Sequence, residues 1–199
     1  MADKYPKHLT TLITLLKKLP GVGKATAERF SFQLLKWSND DLKFLGGIIS
    51  DIKTKITFCS ECGCILNNDQ CNFCSSLRDP SKICIISSLK DVFSIEQTRT
   101  YSGLYHIISS LLSPIDGIGF EGLKLEKLKE RIKKHNSKEI IIALDSTLEG
   151  DATAFFLKQE LQSFDVKISR LAFGVPVGSC LDLVDGSTLA KALDGRQSF

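Results

Sequence analysis

Two cysteine pairs, Cys59-x2-Cys62 and Cys71-x2-Cys74, stand eight residues apart in a chain of 199 residues. Two residues between thiolates let one tight turn aim both sulfurs at the same ion, and Gly63 directly after the first pair eases that turn. Two such pairs close a tetrahedral four-thiolate shell, which suits structural zinc and leaves no open position for catalysis. The enclosed segment has only Ile65, Leu66 and Phe73 as large apolar residues. That is too few for a core, so a metal must hold the segment together. Unligated thiols and an iron–sulfur cluster are the two other readings of the same spacing. Five of the seven cysteines fall between Cys59 and Cys74, too clustered for a disulfide framework spread over a fold. A single residue between Cys62 and Cys64 gives poor chelation geometry, which leaves Cys64 as a spare. Cys84, in an apolar run, and Cys180, in a loop, read as packing residues.

The second chemical feature is Leu19-Pro20-Gly21-Val22-Gly23-Lys24. Pro20 stops a helix, and the two glycines permit positive φ and close backbone approach. Lys24 and Arg29 lie at the start of the helix that follows. Exposed amides at a helix N-terminus, with a cation beside them, make a seat for a phosphate. This is the sequence form of a helix-hairpin-helix element, with Gly21, Gly23, Lys24 and Arg29 as the DNA-binding residues. Contacts to backbone phosphates make such binding independent of base sequence and sensitive to salt. A plain αα-hairpin that uses glycine only to turn is the structural alternative. A nucleotide-binding glycine loop should follow a strand, whereas here a helix precedes it. The charge distribution favours a nucleic acid. Residues 1–58 hold ten Lys/Arg against five Asp/Glu, 59–74 hold only Glu61 and Asp69, and 75–199 hold sixteen of each sign. The basic excess therefore sits entirely in the N-terminal part, as in a small nucleic-acid-binding module attached to a neutral body.

The elements that must position these residues follow from apolar spacing. Leu9, Leu12, Ile13, Leu16 and Leu19 recur at helical intervals, as do Ala25, Ala27, Phe30, Leu34 and Leu35. A third helix, capped by Ser38 with Asp41 three residues on, carries Leu42, Leu45, Ile48, Ile49, Ile52 and Ile56. After Pro80 the pattern changes to short apolar runs at Ile83–Ile86, Tyr105–Ser109, Ile140–Leu144 and Val166–Leu171. Helical stretches lie between them at Lys90–Gln97, Leu123–His135 and Asp151–Phe164. Alternating strands and helices imply a parallel sheet covered on both faces, hence an α/β domain. A Gly-rich tail from Gly174 ends in a short Leu189–Leu193 helix. No apolar run reaches 18 residues, and no apolar stretch with a small-residue cleavage site opens the chain. No membrane span or secretory signal is predicted, and a cytoplasmic location is expected.

Helical hairpin, four-cysteine finger and α/β body, in this order, resemble the RecR family of recombination mediators. Later segments sharpen the likeness. Leu112-Ser113-Pro114-Ile115-Asp116-Gly117-Ile118-Gly119 looks like the family's SPLDGIG segment. Thr147-Leu148-Glu149-Gly150-Asp151-Ala152-Thr153-Ala154 resembles its T-x-E-G-E-A-T-A segment. Gly174-Val175-Pro176-Val177-Gly178, then Asp185-Gly186 and Thr188-Leu189, resembles its GVPVG…DG-x-TL motif. The resemblance implies four parts: a helix-hairpin-helix region at 1–56, a four-cysteine zinc finger at 57–78, a Toprim domain at 79–173 and a C-terminal segment at 174–199. It further implies a homodimer or homotetramer ring that binds single- and double-stranded DNA. Such a protein partners RecO, in some organisms RecF, and indirectly RecA, which replaces single-strand-binding protein on gapped DNA.

Toprim enzymes hold Mg²⁺ with a glutamate after the first strand and a later acidic pair, and the metal stabilises phosphoryl transfer. Glu149-x-Asp151 matches the pair, and Asp91 adds a carboxylate after the first strand. The position of the first glutamate reads Ser87, which removes a charged ligand. Leu111 stands where the family often has His, and Cys180 where an acidic residue is usual. No nucleophile emerges from Tyr5, Tyr101 and Tyr105, and His8, His106 and His135 form no evident cluster. The resemblance implies that Asp91, Glu149 and Asp151 belong to a RecO-contacting acidic face in a protein that is not an enzyme; Glu149 and Asp151 also read as acids favoured by the dipole of the helix they start. The competing readings are a Mg²⁺-dependent Toprim nuclease or primase-like enzyme, and an RNA-binding regulator.

Overall fold

The computed structural model describes residues 4–197 except 109, 114–118, 120–122 and 124. The chain divides into two units, Met1–Ile56 and Thr57–Phe199.

The first unit is three helices: α1 (Lys7–Leu16), α2 (Lys24–Leu34) and α3 (Asn39–Lys55). α1 ends before Leu19 because its last turn tightens, with Lys18 N–H donating to Leu15 O and Leu19 N–H to Leu16 O, each at 3.1 Å. Ser38 caps α3 as its sequence indicates: its Oγ accepts the Asp41 amide at 3.1 Å and donates to the Asp41 carboxylate at 2.7 Å. Among the described residues of this unit only Ile13, Ala27 and Ser31 are buried. α3 has no buried residue at all.

The second unit opens with the cysteine segment and continues as an α/β layer. The elements are β1 (Asp79–Ile86), α4 (Leu89–Thr98), β2 (Gly103–Ile107), α5 (Glu126–His135), β3 (Glu139–Ala143), α6 (Leu148–Leu161), β4 (Lys167–Arg170) and α7 (Gly186–Asp194). All pairings are parallel and the strand order is β2-β1-β3-β4. The α/β reading with a parallel sheet holds. The tertiary structure moves several boundaries. β2 begins two residues before the predicted run, whose last residue, 109, is outside the described residues. α5 begins at Glu126 rather than Leu123. α6 begins three residues before Asp151 because Thr147 Oγ1 accepts the Gly150 amide at 3.1 Å and starts the helix there.

Period-2 alternation divides the sheet between two cores. Ile83, Ile85, Ile140 and Ile142 pack with Leu128 and Ile132 of α5 and Leu157 and Leu161 of α6. Their sequence neighbours Cys84, Ile86 and Ala143, with Tyr105 of β2, pack with Val92 of α4 and the cysteine segment. Cys84 is thus the packing residue its strand position indicates. Cys180 is not: it is exposed, ahead of a 3-10 turn at Leu181–Leu183, with no core around it. Replacing the fully buried Leu157 by Ala should lower unfolding free energy by about 2–5 kcal/mol in urea titrations. Lys158→Ala, one position along on the exposed face, should change it by less than about 0.5 kcal/mol.

Candidate metal centre and nucleic-acid interface

The first cysteine pair sits in a knuckle built by backbone hydrogen bonds. Cys59 N–H donates to Cys64 O at 2.7 Å, Gly63 N–H to Cys59 O at 2.9 Å, and Cys64 N–H to Cys62 Sγ at 3.4 Å. Gly63 has φ +80°, and a Cβ there would press on Ile107 Cβ at 3.1 Å, so the turn and its seat on β2 both require glycine. Cys64, spare as a ligand, is fully buried and holds the knuckle through its backbone. A two-residue hairpin leads to the second pair: Asn68 (φ 48°) and Asp69 (φ 61°) turn the chain between Asn67 and Gln70. Two consecutive left-handed residues of Asn/Asp type are a hairpin signature, a signal that Asn67-Asn68-Asp69 carries in the sequence. The chain then makes a 3-10 turn at Asn72–Cys74.

Cys59, Cys62, Cys71 and Cys74 converge as expected, with all four sulfurs within 4.8 Å of one another. Cys59 and Cys74 sulfurs are 4.0 Å apart, and Cys62 and Cys71 sulfurs 3.5 Å. A tetrahedral shell with metal–sulfur bonds of about 2.3 Å has sulfur–sulfur edges of about 3.8 Å. The donor set therefore fits a metal ion. Burial pushes the Cys71 thiol up to about 11. Hydrogen bonding by neighbouring thiols, then burial, pushes the Cys62 and Cys74 thiols up as well. Four sulfurs this close need a cation before they ionise together.

Around the sulfurs lies a cluster that sequence analysis missed. Arg131 of α5 is buried, donating from Nη1 to Tyr105 O at 2.7 Å and to His106 Nδ1 at 3.1 Å, and from Nη2 to Cys74 Sγ at 3.5 Å. A guanidinium can only donate, so Nδ1 accepts and the His106 proton sits on Nε2. Burial, then the Arg131 and Lys127 charges, lowers the His106 pKa to about 4, so the ring is neutral at physiological pH. On the other side, Arg78 pairs with both Glu96 oxygens at 2.6 and 3.2 Å, and Tyr105 Oη donates to Glu96 at 2.6 Å. Phe73, from the second cysteine turn, packs edge-on to Tyr105. The only sequence hint of this seat was the polar residues within apolar elements.

The glycine hairpin has the predicted form. Gly21 has φ +78°, and Gly23 precedes α2 with no side chain capping the helix. A Cβ at either glycine would meet nothing within 4 Å, and Gly21, Gly23, Lys24 and Ala25 are exposed, so the uncapped helix start is open to a ligand. Lys24 is the first residue of α2 and exposed. With Lys4, Lys17 and Glu28 it lines a cleft of about 240 Å³ between α1 and α2. Arg29 does not lie at the helix start as its nearness in sequence suggested. It is the sixth residue of α2, turned about 140° from Lys24, with its guanidinium 5.6 Å from the Phe30 ring centre. Lys17, which the motif reading did not single out, shares the cleft with Lys24.

The acidic residues stand at the carboxyl edge of the sheet, where β1 and β3 lead in opposite directions, the usual crevice of open α/β sheets. Asp91 and Asp151 each carry another bond. Asp91 closes a capping box, accepting the Ser88 amide at 3.0 Å, and burial, with some repulsion from Asp145, raises its pKa. Asp151 is bound by Arg170 at 2.5 Å and Lys191 at 3.6 Å, and the Arg170 hydrogen bond lowers its pKa. Glu149 and Asp151 occupy the first turn of α6. Gly150 between them has no substitute, since a Cβ there would collide with the Asp145 carbonyl oxygen. Ser87 is half-buried, and Leu111 packs against the main core. Of Leu112–Gly119, positions 114–118 lie outside the described residues. Among the described residues the cysteines are the one group of three or more His, Cys, Asp or Glu able to hold a metal.

Comparison with known proteins agrees with this anatomy. Family models match a RecR helix-hairpin-helix at residues 9–52, a Toprim domain at 81–172 and a RecR C-terminal part at 174–197. The chain is 53% identical over 197 residues to the recombination protein RecR of Protochlamydia amoebophila, covering 98% of this chain and 100% of that one. The chain belongs to the RecR family. The RecR proteins of Chlamydia pneumoniae and of Chlamydia trachomatis serovar D are each 47% identical over 198 residues, covering 98% of this chain and 99% of theirs. No helix among the described residues is long and apolar enough to cross a membrane.

Elemental analysis of this RecR-family chain, freshly purified, should find one metal ion per chain. Replacing Cys59 and Cys71 together by Ser should abolish it and release the amides of residues 57–78 to rapid hydrogen exchange, while β1 and β3 stay protected.

Proposed function

We propose that the chain is a recombination mediator in DNA repair: a zinc-containing scaffold that grips DNA without base specificity and recruits partners, rather than an enzyme. The observation that carries this reading is the uncapped start of α2 behind Gly21 and Gly23, beside Lys24 and Lys17. Amides and cations there can hold successive phosphates, a sequence-independent contact. Arg29, on another face of α2, would reach a separate phosphate. The name of its relatives, recombination protein RecR, supports the setting.

Four thiolates without an open ligand position favour zinc in a structural role. The parts would divide as hairpin 1–56, zinc finger 57–78, Toprim domain 79–173 and C-terminal segment 174–199. Asp91, Glu149 and Asp151 would form the face that meets RecO, with RecF and RecA acting alongside on single- and double-stranded DNA. Asp151 held by Arg170 and Lys191, and Asp91 engaged in a cap, favour this over Mg²⁺-dependent nuclease or primase-like chemistry.

A homodimer or homotetramer ring is supported by α3, where Phe44, Ile48, Ile49 and Ile52 are all exposed and Phe44, Ile48 and Ile52 line an open apolar groove. Apolar faces of this kind mark interfaces. Light scattering should return two or four times the single-chain mass. Phe44→Ser with Ile48→Ser should lower it.

Lys24→Ala with Arg29→Ala should weaken binding to gapped DNA about tenfold or more without moving the melting temperature. The slope of log affinity against log salt should flatten by about 1 for each phosphate that is no longer neutralised. The same DNA should stay uncut with Mg²⁺. Unchanged affinity, tighter binding to RNA at matched salt, or nicking abolished by Glu149→Ala would each replace this reading with another.

A further inference from the structure

Arg131 has an environment that neither DNA binding nor the four sulfurs alone explains. Its side chain is 3% exposed. Nη1 and Nη2 are engaged by Tyr105 O, His106 Nδ1 and Cys74 Sγ, but Nε has no hydrogen-bond partner among the described residues. Glu61 Oε2 stands 4.0 Å from Nε, too long for a hydrogen bond. Glu61 is itself 45% exposed and shared with Lys134 at 3.3 Å. A buried guanidinium facing one solvated, shared carboxylate is under-compensated. Neutral Tyr105 carbonyl and His106 imidazole cannot supply the missing charge.

The centre itself can. A divalent ion with four thiolates carries a net charge of −2, spread over sulfurs of which Arg131 touches that of Cys74. The placement on α5 is also regular. Lys127, Arg131 and Lys134 stand at i, i+4 and i+7, along one helix face. All three meet the cysteine segment: Lys127 Nζ donates to Ser60 O at 3.3 Å, Arg131 to Cys74, and Lys134 to Glu61. The Cys59–Cys62 loop thus lies against a cationic stripe, with its one buried member on a ligand sulfur.

We propose that Arg131 is the outer-sphere cation of the four-thiolate centre, positioning Cys74 through an N–H···S bond and fastening the centre to β2 through Tyr105. This rests on the metal reading and is independent of DNA binding. Removing an outer-sphere partner of a metal ligand weakens metal retention about ten- to hundredfold. A hydrogen bond to sulfur also stabilises the thiolate lone pair, so its loss lowers the energy of thiolate-to-metal charge transfer.

The test uses the full chain. Zinc transfer to a chromophoric chelator and the charge-transfer band of the Co²⁺-substituted protein are compared for wild type, Arg131→Met, Arg131→Lys and Arg78→Met. Arg78 is a second largely buried guanidinium, paired with Glu96, and among the described residues it has no hydrogen bond to a cysteine. Arg131→Met should release zinc about ten- to hundredfold faster with a red-shifted band. Arg131→Lys should fall between it and wild type, and Arg78→Met should match wild type in both readouts. Wild-type behaviour of folded Arg131→Met, or an equal change in Arg78→Met, overturns the proposal. If Arg131→Met does not accumulate folded, Arg131→Lys decides alone, and wild-type release with an unshifted band overturns it. Metal-free wild-type protein would sink the metal reading itself, an outcome distinct from metal-loaded protein indifferent to Arg131.

Discussion

The second unit depends on a segment with only five large apolar residues, Phe58, Ile65, Leu66, Phe73 and Leu77, being seated on a sheet face. Residues 57–78 offer few groups to bury, so their order must come from elsewhere: four converging sulfurs, backbone bonds that shape the first knuckle, and a face of β1 and β2 that receives them. Cys62 and Cys64 belong to the same buried cluster as Cys84, Ile86 and Tyr105. The cysteine segment is therefore part of the core on that side of the sheet rather than an appendage. The polar members of the seat bond to one another and to the backbone, Arg78 with Glu96 and Arg131 with Tyr105 and His106, as groups withdrawn from water require, and Arg131 Nε is the exception among the described residues.

A different balance governs the carboxyl edge. The strand order β2-β1-β3-β4 places a crevice between the ends of β1 and β3, a position where many α/β proteins bind ligands. Here the carboxylates serve the fold as well. Asp91 caps α4, and Asp151 ties α6 to Arg170 of β4 and Lys191 of α7. Arg170 and Lys191 also stand over the Phe173 ring at 4.7 and 4.6 Å, so the ion network and an aromatic contact reinforce each other. A carboxylate already paired with two cations is a weaker metal ligand and a better electrostatic hinge pin between elements.

The first unit shows the opposite economy. Its three helices bury little of their own apolar surface, and α3 buries none of its side chains. Helices this amphipathic gain stability only when the apolar face is covered. The hairpin glycines keep a similar openness on the polar side, with no neighbouring atoms where side chains would stand.

Local features were legible in the residues themselves. Cysteine spacing, the Gly-Val-Gly turn, the Ser38 cap and the apolar runs of β1 and β3 each depend on neighbours a few positions away, and local chemistry suffices to place them. Helix starts shifted where a cap was not recognised, as at Thr147. Arg29 was placed beside Lys24 because distance along the chain ignores the rotation of a helix. Cys180 was read as a packing residue because burial depends on what surrounds a loop, which no local pattern contains. Arg131 lies at the far end of the same limitation. In sequence it is one of several charged residues in the stretch Glu126–His135. Only the packing of α5 against β2 and the cysteine segment takes it out of water and sets it on a sulfur 57 positions away, because burial and long-range contact are properties of the assembled chain.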